Sequence, residues 1–199
     1  MMDYFYEQQI IDKGYKIVCG MDEAGRGPLA GAVFAAAVIL PQGLIIEGLN
    51  DSKKLTEKKR DKLFDVIKEN AISYGIASVS AEEIDEINIL NASMLAMRRA
   101  AEMLEPKPDA GLIDGNTSRG FTFYTETLVK GDSLSPSIAA ASILDKVSRD
   151  RYMAELAEKY PEYNFAGHKG YPTKEHMDLV RKLGPCPEHR KTFLKFLNK

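Results

Sequence analysis

Apolar residues fall along this chain in short runs that stop at acids, glycines or prolines. Ile17, Val18 and Met21 predict a first strand that meets Asp22 and Glu23, after which Gly25, Gly27 and Pro28 force a turn. Leu29 to Leu40, rich in Ala, Val, Phe and Ile, predicts a second strand stopped by Pro41 and Gly43. Thr56 is placed to cap a helix with Leu63, Phe64 and Ile67 on one face. Tyr74, Ile76 and Val79 predict a third strand, and Ser80 with Glu83 forms a capping-box signal. Ile87, Leu90, Met94, Met97, Ala101 and Leu104 then recur at helical spacing until Pro106 and Pro108, a stripe read as core. Ala110 to Ile113 ends in Asp114 beside Gly115, and Leu128-Val129 leads through Lys130-Gly131 to Asp132. Behind Ser135-Pro136, Ile138, Ala141, Leu144, Val147, Tyr152 and Leu156 predict a helix of about six turns from Ser137 toward Pro161. A shorter helix is expected from about Thr173 to Leu183, ahead of Gly184-Pro185.

Strands interleaved with helices predict an α/β fold. No repeat, low-complexity tract or linker divides the chain. Residues 1–199 are expected to form one domain, with a helical C-terminal appendage from about 152 to 199 packed on the α/β core.

Composition narrows the functional classes. With 199 residues and 44% hydrophobic side chains the chain can bury a core of its own. The longest apolar run, Leu29 to Leu40, falls short of the ~20 residues that cross a bilayer, so no membrane partner is expected. Met1 to Gln9 carries Asp3 and Glu7 instead of a basic, apolar leader, and the expectation is a cytoplasmic protein. Cys19 and Cys186 lack metal-ligand spacing and suit a reducing compartment, Cys19 as buried filler. The net charge of -2 is unevenly spread. His168 to Lys199 holds six Lys and two Arg against two Glu and one Asp, a net of +5, which leaves -7 for the remainder. Such a tail is either a solvated basic face or a phosphate-binding one. All three histidines lie in that tail, so a histidine-rich zinc site built on Asp22 has no local support. The absence of a Walker-type Gly-Lys-Ser loop argues against an NTP-driven motor.

The acids carry the chemistry. Neighbouring carboxylates in a regular strand face opposite ways, so Asp22 and Glu23 are expected to converge where the strand ends or bulges. The glycines behind them let a backbone approach a ligand, and Arg26 sets a forked cation beside it. A single acidic pair at a turn is ordinarily a solvated strand end. Here three apolar runs end the same way, and ligands of open α/β sheets collect outside strand ends, so Asp22, Glu23, Asp114 and Asp132 are expected to meet there. Four carboxylates repel unless their charge is offset, and two Mg²⁺ or Mn²⁺ ions would offset it. Oxygen-only ligands favour those ions over zinc. Ions ~3.5–4 Å apart suit in-line hydrolysis of a phosphodiester.

The ordered motifs carry a further signal. Met21-Asp22-Glu23-Ala24-Gly25-Arg26-Gly27-Pro28-Leu29-Ala30-Gly31, Asp51-Ser52-Lys53-Lys54-Leu55, Ile113-Asp114-Gly115, Lys130-Gly131-Asp132, Ser137-Ile138-Ala139-Ala140-Ala141-Ser142 and His168-Lys169-Gly170-Tyr171-Pro172-Thr173 together resemble bacterial ribonuclease HII, in that family's order and over nearly the whole chain. The resemblance implies an RNase H-like fold, a mixed sheet flanked by helices with a helical C-terminal segment closing one side of the substrate groove. It implies a metal-dependent endoribonuclease that cleaves RNA paired with DNA, incises 5′ of single ribonucleotides in duplex DNA, and leaves 3′-hydroxyl and 5′-phosphate ends. Asp22, Glu23, Asp114 and Asp132 match that family's metal-binding carboxylates. Gly25, Arg26 and Gly27 match the segment that contacts the 2′-hydroxyl and neighbouring phosphate, Tyr171 the tyrosine that stacks beside the junction, and Lys53 a phosphate-contacting lysine. One residue departs from the pattern: Asp145 stands where a small residue is expected, and its spacing to Arg149 predicts an ion pair on a helix surface rather than a fifth metal ligand. The rival readings are ribonuclease HIII, which carries an extra N-terminal domain where only about twenty residues precede Asp22 here, and a hybrid-binding module that has lost catalysis. A monomer is the expected state.

Overall fold

Five strands make one mixed sheet in the order β3-β2-β1-β4-β5. β1 (Val18–Ala24) pairs antiparallel with β2 (Val33–Ile39), and β2 does the same with β3 (Ser73–Val79). On its other side β1 runs parallel to β4 (Ala110–Asp114), which runs parallel to β5 (Tyr124–Leu128). The computed structural model describes residues 2–198; Met1 and Lys199, the ends of the domain range expected from sequence, lie outside it.

The helices are α1 (Phe5–Asp12), α2 (Glu57–Asn70), α3 (Ala81–Ile87), α4 (Ile89–Glu102), α5 (Pro136–Lys159), α6 (Phe165–His168) and α7 (Lys174–Leu183). Thr56, Ser80 and Ser135 cap α2, α3 and α5 as their positions predict, and Ser80 with Glu83 completes the capping box. The stripe expected as one helix from Ile87 to Leu104 is broken at Asn88, whose positive φ of 66° turns the chain between α3 and α4. α1 escaped the sequence reading, and it has a definite task. Its buried Glu7 accepts bonds from the Ser135 hydroxyl at 2.6 Å and the Ser137 amide at 3.1 Å, placing an acid at the N-terminus of α5.

Strand alternation sorts the core into two layers. Cys19 and Met21 of β1, with Val33, Ala35, Ala37 and Ile39 of β2, pack against α4. Ala36 and Val38 face the other way, against Ala140, Ala141 and Leu144 of α5 and Leu63, Phe64 and Ile67 of α2. Small residues let both helices sit close: a Cβ on Gly20 would lie 2.2 Å from the Ser137 carbonyl carbon, and one on Gly75 would lie 2.1 Å from the Ala100 oxygen. The first part of α5, from Pro136 to Asp145, is buried on every side, as befits a central helix of apolar and small residues.

Two further expectations are corrected. The second strand begins at Val33, because Leu29 to Gly31 bond to the C-terminal segment instead: the Leu29 amide donates to Gly170, the Gly31 amide to Glu188, and the Arg190 amide to Leu29. Asp145 is not on a helix surface. It is 1% exposed, and among the described residues it forms no ion pair with Arg149, whose guanidinium instead donates to the carbonyls of Ala30, Ala32 and Lys169.

Candidate active site

The parallel register of β1 and β4 builds the centre of the site. Met21 stands opposite Ile113, so the next residues, Asp22 and Asp114, are neighbours on adjacent strands and share the sheet face that carries α5. The third acid arrives by a backbone tie. The Gly131 amide donates to Asp114 Oδ1 at 2.6 Å, and Lys130, at φ 59°, turns the chain so that Asp132 follows within a single 3-10 turn. Asp22, Asp114 and Asp132 each offer a carboxylate oxygen to a group whose members lie within 4.8 Å of one another. Among the described residues no other set of His, Cys, Asp or Glu forms such a group.

Glu23 stands apart from that trio. β1 continues in regular pairing through Ala24, so Glu23 starts from the opposite sheet face to Asp22, and its Oε1 accepts a bond from Arg26 at 3.3 Å. Of the two expected possibilities, a strand end or a bulge, β1 shows the first: it ends at Ala24 without distortion, and length of side chain brings this carboxyl toward the others. Lys53 sits on the trio's edge, its ammonium 3.8 Å from Asp132. Asp51 caps the 3-10 turn that holds it, accepting from the Lys53 amide at 2.9 Å, while the Lys54 ammonium reaches Asp51 at 3.6 Å and the Ser133 hydroxyl at 3.0 Å. Asp51, Lys53, Lys54, Asp114, Lys130, Asp132 and Ser133 line an open cleft of about 330 Å³.

The electrostatics are those of uncompensated negative charge. Burial first, then the charges of Glu23 and Asp114, hold the Asp22 carboxyl well above the usual carboxylate range. Burial likewise pushes Glu23 up to about 7, and burial with Asp114 and Asp51 raises Asp132. Burial works against the Lys53 ammonium, but Asp22, Asp132, Asp51 and Asp114 outweigh it and keep the lysine more basic than usual. One lysine does not neutralise this many acids. Clustered carboxylates of this kind, on rigid strand ends and open to solvent at one side, fit a hard divalent cation.

Behind the acids, the loop of Gly25, Arg26 and Gly27 is held from the C-terminal segment. Arg190 is fully buried and donates to the carbonyls of Gly25 at 2.6 Å, Arg26 at 3.0 Å and Gly31 at 2.9 Å. Gly25 has φ 99°, and a Cβ there would strike Arg149 Nε at 2.1 Å, so glycine is required twice over. Tyr171 completes this side: the residue is 42% exposed, and a Cβ on Gly27 would touch its Cε1 at 3.7 Å. The Arg149 guanidinium lies 5.8 Å from the ring centroid.

The Tyr171 backbone is tied down by histidines. The Cys186 amide donates to His189 Nδ1 at 3.0 Å, which leaves His189 Nε2 as the donor to His176 Nε2 at 3.0 Å. His176 Nδ1 then donates to the Tyr171 carbonyl at 2.9 Å. His168 stacks on His176 with ring centroids 4.1 Å apart and joins the Tyr163 carbonyl at 2.7 Å.

Sequence reasoning named Asp22, Glu23, Asp114, Asp132, Lys53, Gly25, Arg26, Gly27 and Tyr171, and the fold gathers them at one end of the sheet. It missed Asp51, Arg149, Arg190 and the burial of Asp145. Asp51 had a signal in its own motif, an acid directly before Ser-Lys-Lys. The arginines had none, since their carbonyl partners lie more than a hundred residues away in sequence for Arg149 at Ala32 and for Arg190 at Gly31.

Comparisons with known proteins point one way. The family model for ribonuclease HII matches residues 19–198. A ribonuclease HII of Caldicellulosiruptor bescii is 54% identical over 97% of this chain and 94% of its own length, and one of Acetivibrio thermocellus is 56% identical over 96% of this chain and 74% of its own. Among solved structures, ribonuclease H2 from Pyrococcus horikoshii is similar with a TM-score of 0.75 at 26% identity, covering 92% of this chain and 100% of that one. By sequence match over nearly its full length, by its mixed sheet and by its acidic cluster, the chain belongs to the ribonuclease HII family of divalent-metal-dependent endoribonucleases that act on RNA/DNA hybrids.

Proposed function

We propose that the protein incises 5′ of single ribonucleotides embedded in duplex DNA, as well as cutting the RNA strand of longer hybrids, leaving 3′-hydroxyl and 5′-phosphate ends. The observation that carries this reading is the junction of two features. Three carboxylates converge within 4.8 Å, and beside them a half-exposed tyrosine ring lies against the backbone of a Gly-Arg-Gly loop. The first suits phosphodiester hydrolysis; the second suits recognition of one sugar and its neighbour.

Asp22, Glu23, Asp114 and Asp132 are assigned to holding two divalent ions, Mg²⁺ or Mn²⁺. Bound there, such ions activate water and stabilise charge on the leaving sugar oxygen. The chain's own groups do the rest. Gly25, Arg26 and Gly27 bring bare backbone to the 2′-hydroxyl, the group that distinguishes RNA from DNA at one position, and Arg190 prevents that backbone from relaxing away. Arg26 can exchange Glu23 for a phosphate, since its side chain is half exposed. Lys53, exposed and beside Asp132, is placed for a neighbouring phosphate. Tyr171 stacks on the following nucleotide. The whole chain is taken to work as one catalytic domain with a helical C-terminal appendage, as a monomer in the cytoplasm, removing misincorporated ribonucleotides and RNA primers. Among the described residues no helix is long and apolar enough to cross a membrane.

The test maps cleavage on two labelled duplexes, one with a single ribonucleotide and one with a continuous RNA strand, with and without Mg²⁺ or Mn²⁺. Metal-dependent cuts 5′ of the single ribonucleotide are expected. Asp22→Asn and Asp114→Asn should abolish cleavage while retaining duplex binding. Near-normal turnover of either purified variant at saturating metal would remove the assignment.

A further inference from the structure

Asp145 is left without a task by the proposed reaction. It lies on the face of α5 that packs along β1, and helix and strand run side by side in the same sense. Ser137 sits over Gly20, and Arg149 over Gly25. Asp145, two turns beyond Ser137 and one before Arg149, therefore falls over the acidic end of β1, on the same sheet face from which Asp22 projects.

A buried acid ordinarily has a partner. Asp145 is 1% exposed, and its Oδ2 meets no hydrogen-bond donor among the described residues. The cations near it along the helix are committed elsewhere: Lys146 donates to Asp150 at 2.6 Å, and Arg149 to backbone carbonyls. Facing it from β1 are the charges of Asp22 and Glu23, both repelling, and the opposing attraction of Lys53, from the loop after β2, and of the Lys146 amide is weaker. An apolar residue would fill this point of the helix without that cost. Positive charge entering on the Asp22–Glu23 side relieves that cost.

We propose that Asp145 is a fifth acid of the divalent-cation site, accepting a hydrogen bond from ion-bound water on the Asp22–Glu23 side and so tightening the site for its ion. It does not belong to the set of Asp22, Asp114 and Asp132 oxygens within 4.8 Å, which is why its link runs through water. The proposal rests on the metal-site reading above. Carboxylates acting on a metal at one remove typically change its affinity about 10- to 100-fold.

The test measures Mn²⁺ binding without substrate, by titration calorimetry and by the electron paramagnetic resonance signal of free Mn²⁺. It compares the unaltered protein with Asp145→Asn, Asp145→Ala and Asp114→Asn. Both Asp145 variants are expected to bind Mn²⁺ about 10- to 100-fold more weakly, with circular dichroism unchanged. The asparagine, which preserves shape, should lose as much as the alanine because the charge is what matters, and it carries the test if the alanine variant fails to fold. Unchanged or tighter binding in Asp145→Asn overturns the proposal. If instead the unaltered protein binds no Mn²⁺, or Asp114→Asn binds it equally well, the metal-site reading itself is at fault.

Discussion

Tyr171 concentrates in one side chain the question of what this enzyme recognises. Its ring rests against Gly27 and near the Arg149 guanidinium, and Pro172 restricts its backbone to extended conformations, so the ring reaches a substrate with little left to order. On the proposed function, the ring packs on a sugar or base and senses whether the nucleotide after the ribonucleotide is DNA, while the Gly-Arg-Gly backbone is assigned to the 2′-hydroxyl. Stacking of this kind contributes roughly 1–3 kcal/mol, or about one to two orders of magnitude in rate when it is expressed in the transition state. Tyr171→Ala is therefore expected to lose most of its activity on a single embedded ribonucleotide, and Tyr171→Phe far less. Parallel kinetics on that duplex and on a uniform hybrid decide the matter. Equal losses in both variants would assign the role to the hydroxyl, and no loss in either would make the ring mere packing.

At the scale of elements, the C-terminal segment is a scaffold for the Gly25 to Gly31 loop before it is a charged surface. The +5 tail suggested by sequence includes Arg190, which is fully buried against the Gly25 to Gly31 carbonyls, and His168, His176 and His189, which pin the Tyr171 backbone. The relay works only with neutral rings. A proton on His189 Nδ1 would displace the Cys186 amide, and one on His176 Nε2 would set two donors face to face. Burial, above all, holds the three histidines below their ordinary values, His189 down to about 4, against the opposing pull on His168 and His176 of their bonds to the Tyr163 and Tyr171 carbonyls and, less, of Glu175. A histidine depressed on folding binds its proton better in the unfolded chain. The segment's stability is thus complete above the ordinary value of 6.5 and is lost as pH falls toward about 4. The raised carboxyls of Asp22, Glu23 and Asp132 shift the metal-free protein's global stability the opposite way, so the test must be local. Histidine ring resonances followed by NMR should leave His189 untitrated until well below its ordinary value. Titration of His189 near 6.5 would mean that the relay is open to water.

The same scale shows what could be read in the sequence and why the rest could not. Asp114 and Asp132 were legible because each closes an apolar run beside glycine, and the parallel register brings Asp114 next to Asp22. How Glu23 approaches Asp22 was less legible, because β1 stays regular to its end at Ala24 and starts these neighbours from opposite faces. Asp145 was readable in principle: Ala141, Asp145, Arg149 and Met153 continue one stripe at four-residue spacing, and the inner face of α5 is buried along it. The same spacing also fits a surface ion pair, and sequence alone does not say which side of the helix faces the sheet. Arg190 could not be found at all, since its partners are carbonyls, which leave no trace in residue type.

Over the whole molecule, the fold accepts an electrostatic conflict at one end of its sheet. Hydrophobic layers on both faces of β1 hold the strand rigid, and that rigidity keeps Asp22 beside Asp114 although the Asp114 charge adds to the cost of ionising Asp22. A ligand that relieves the conflict binds the folded chain and not the unfolded one, so it must raise stability by mass action. At a free ion concentration of 100 times Kd, one site gains about 2.7 kcal/mol. For a chain of this length each kcal/mol shifts the melting temperature by about 2–4 °C. Mn²⁺ or Mg²⁺ at saturating concentration is therefore expected to raise Tm by about 5–10 °C over the metal-free protein, and more if two sites fill. Asp22→Asn separates the two contributions. Removing one charge from the crowded acids should raise the metal-free Tm, because a carboxyl buried among like charges destabilises the fold, and should shrink the rise on adding metal. A metal-free variant no more stable than the unaltered protein would mean that Asp22 is not destabilised by its burial and its acidic neighbours. A metal-induced rise as large as in the unaltered protein would mean that the ions bind elsewhere.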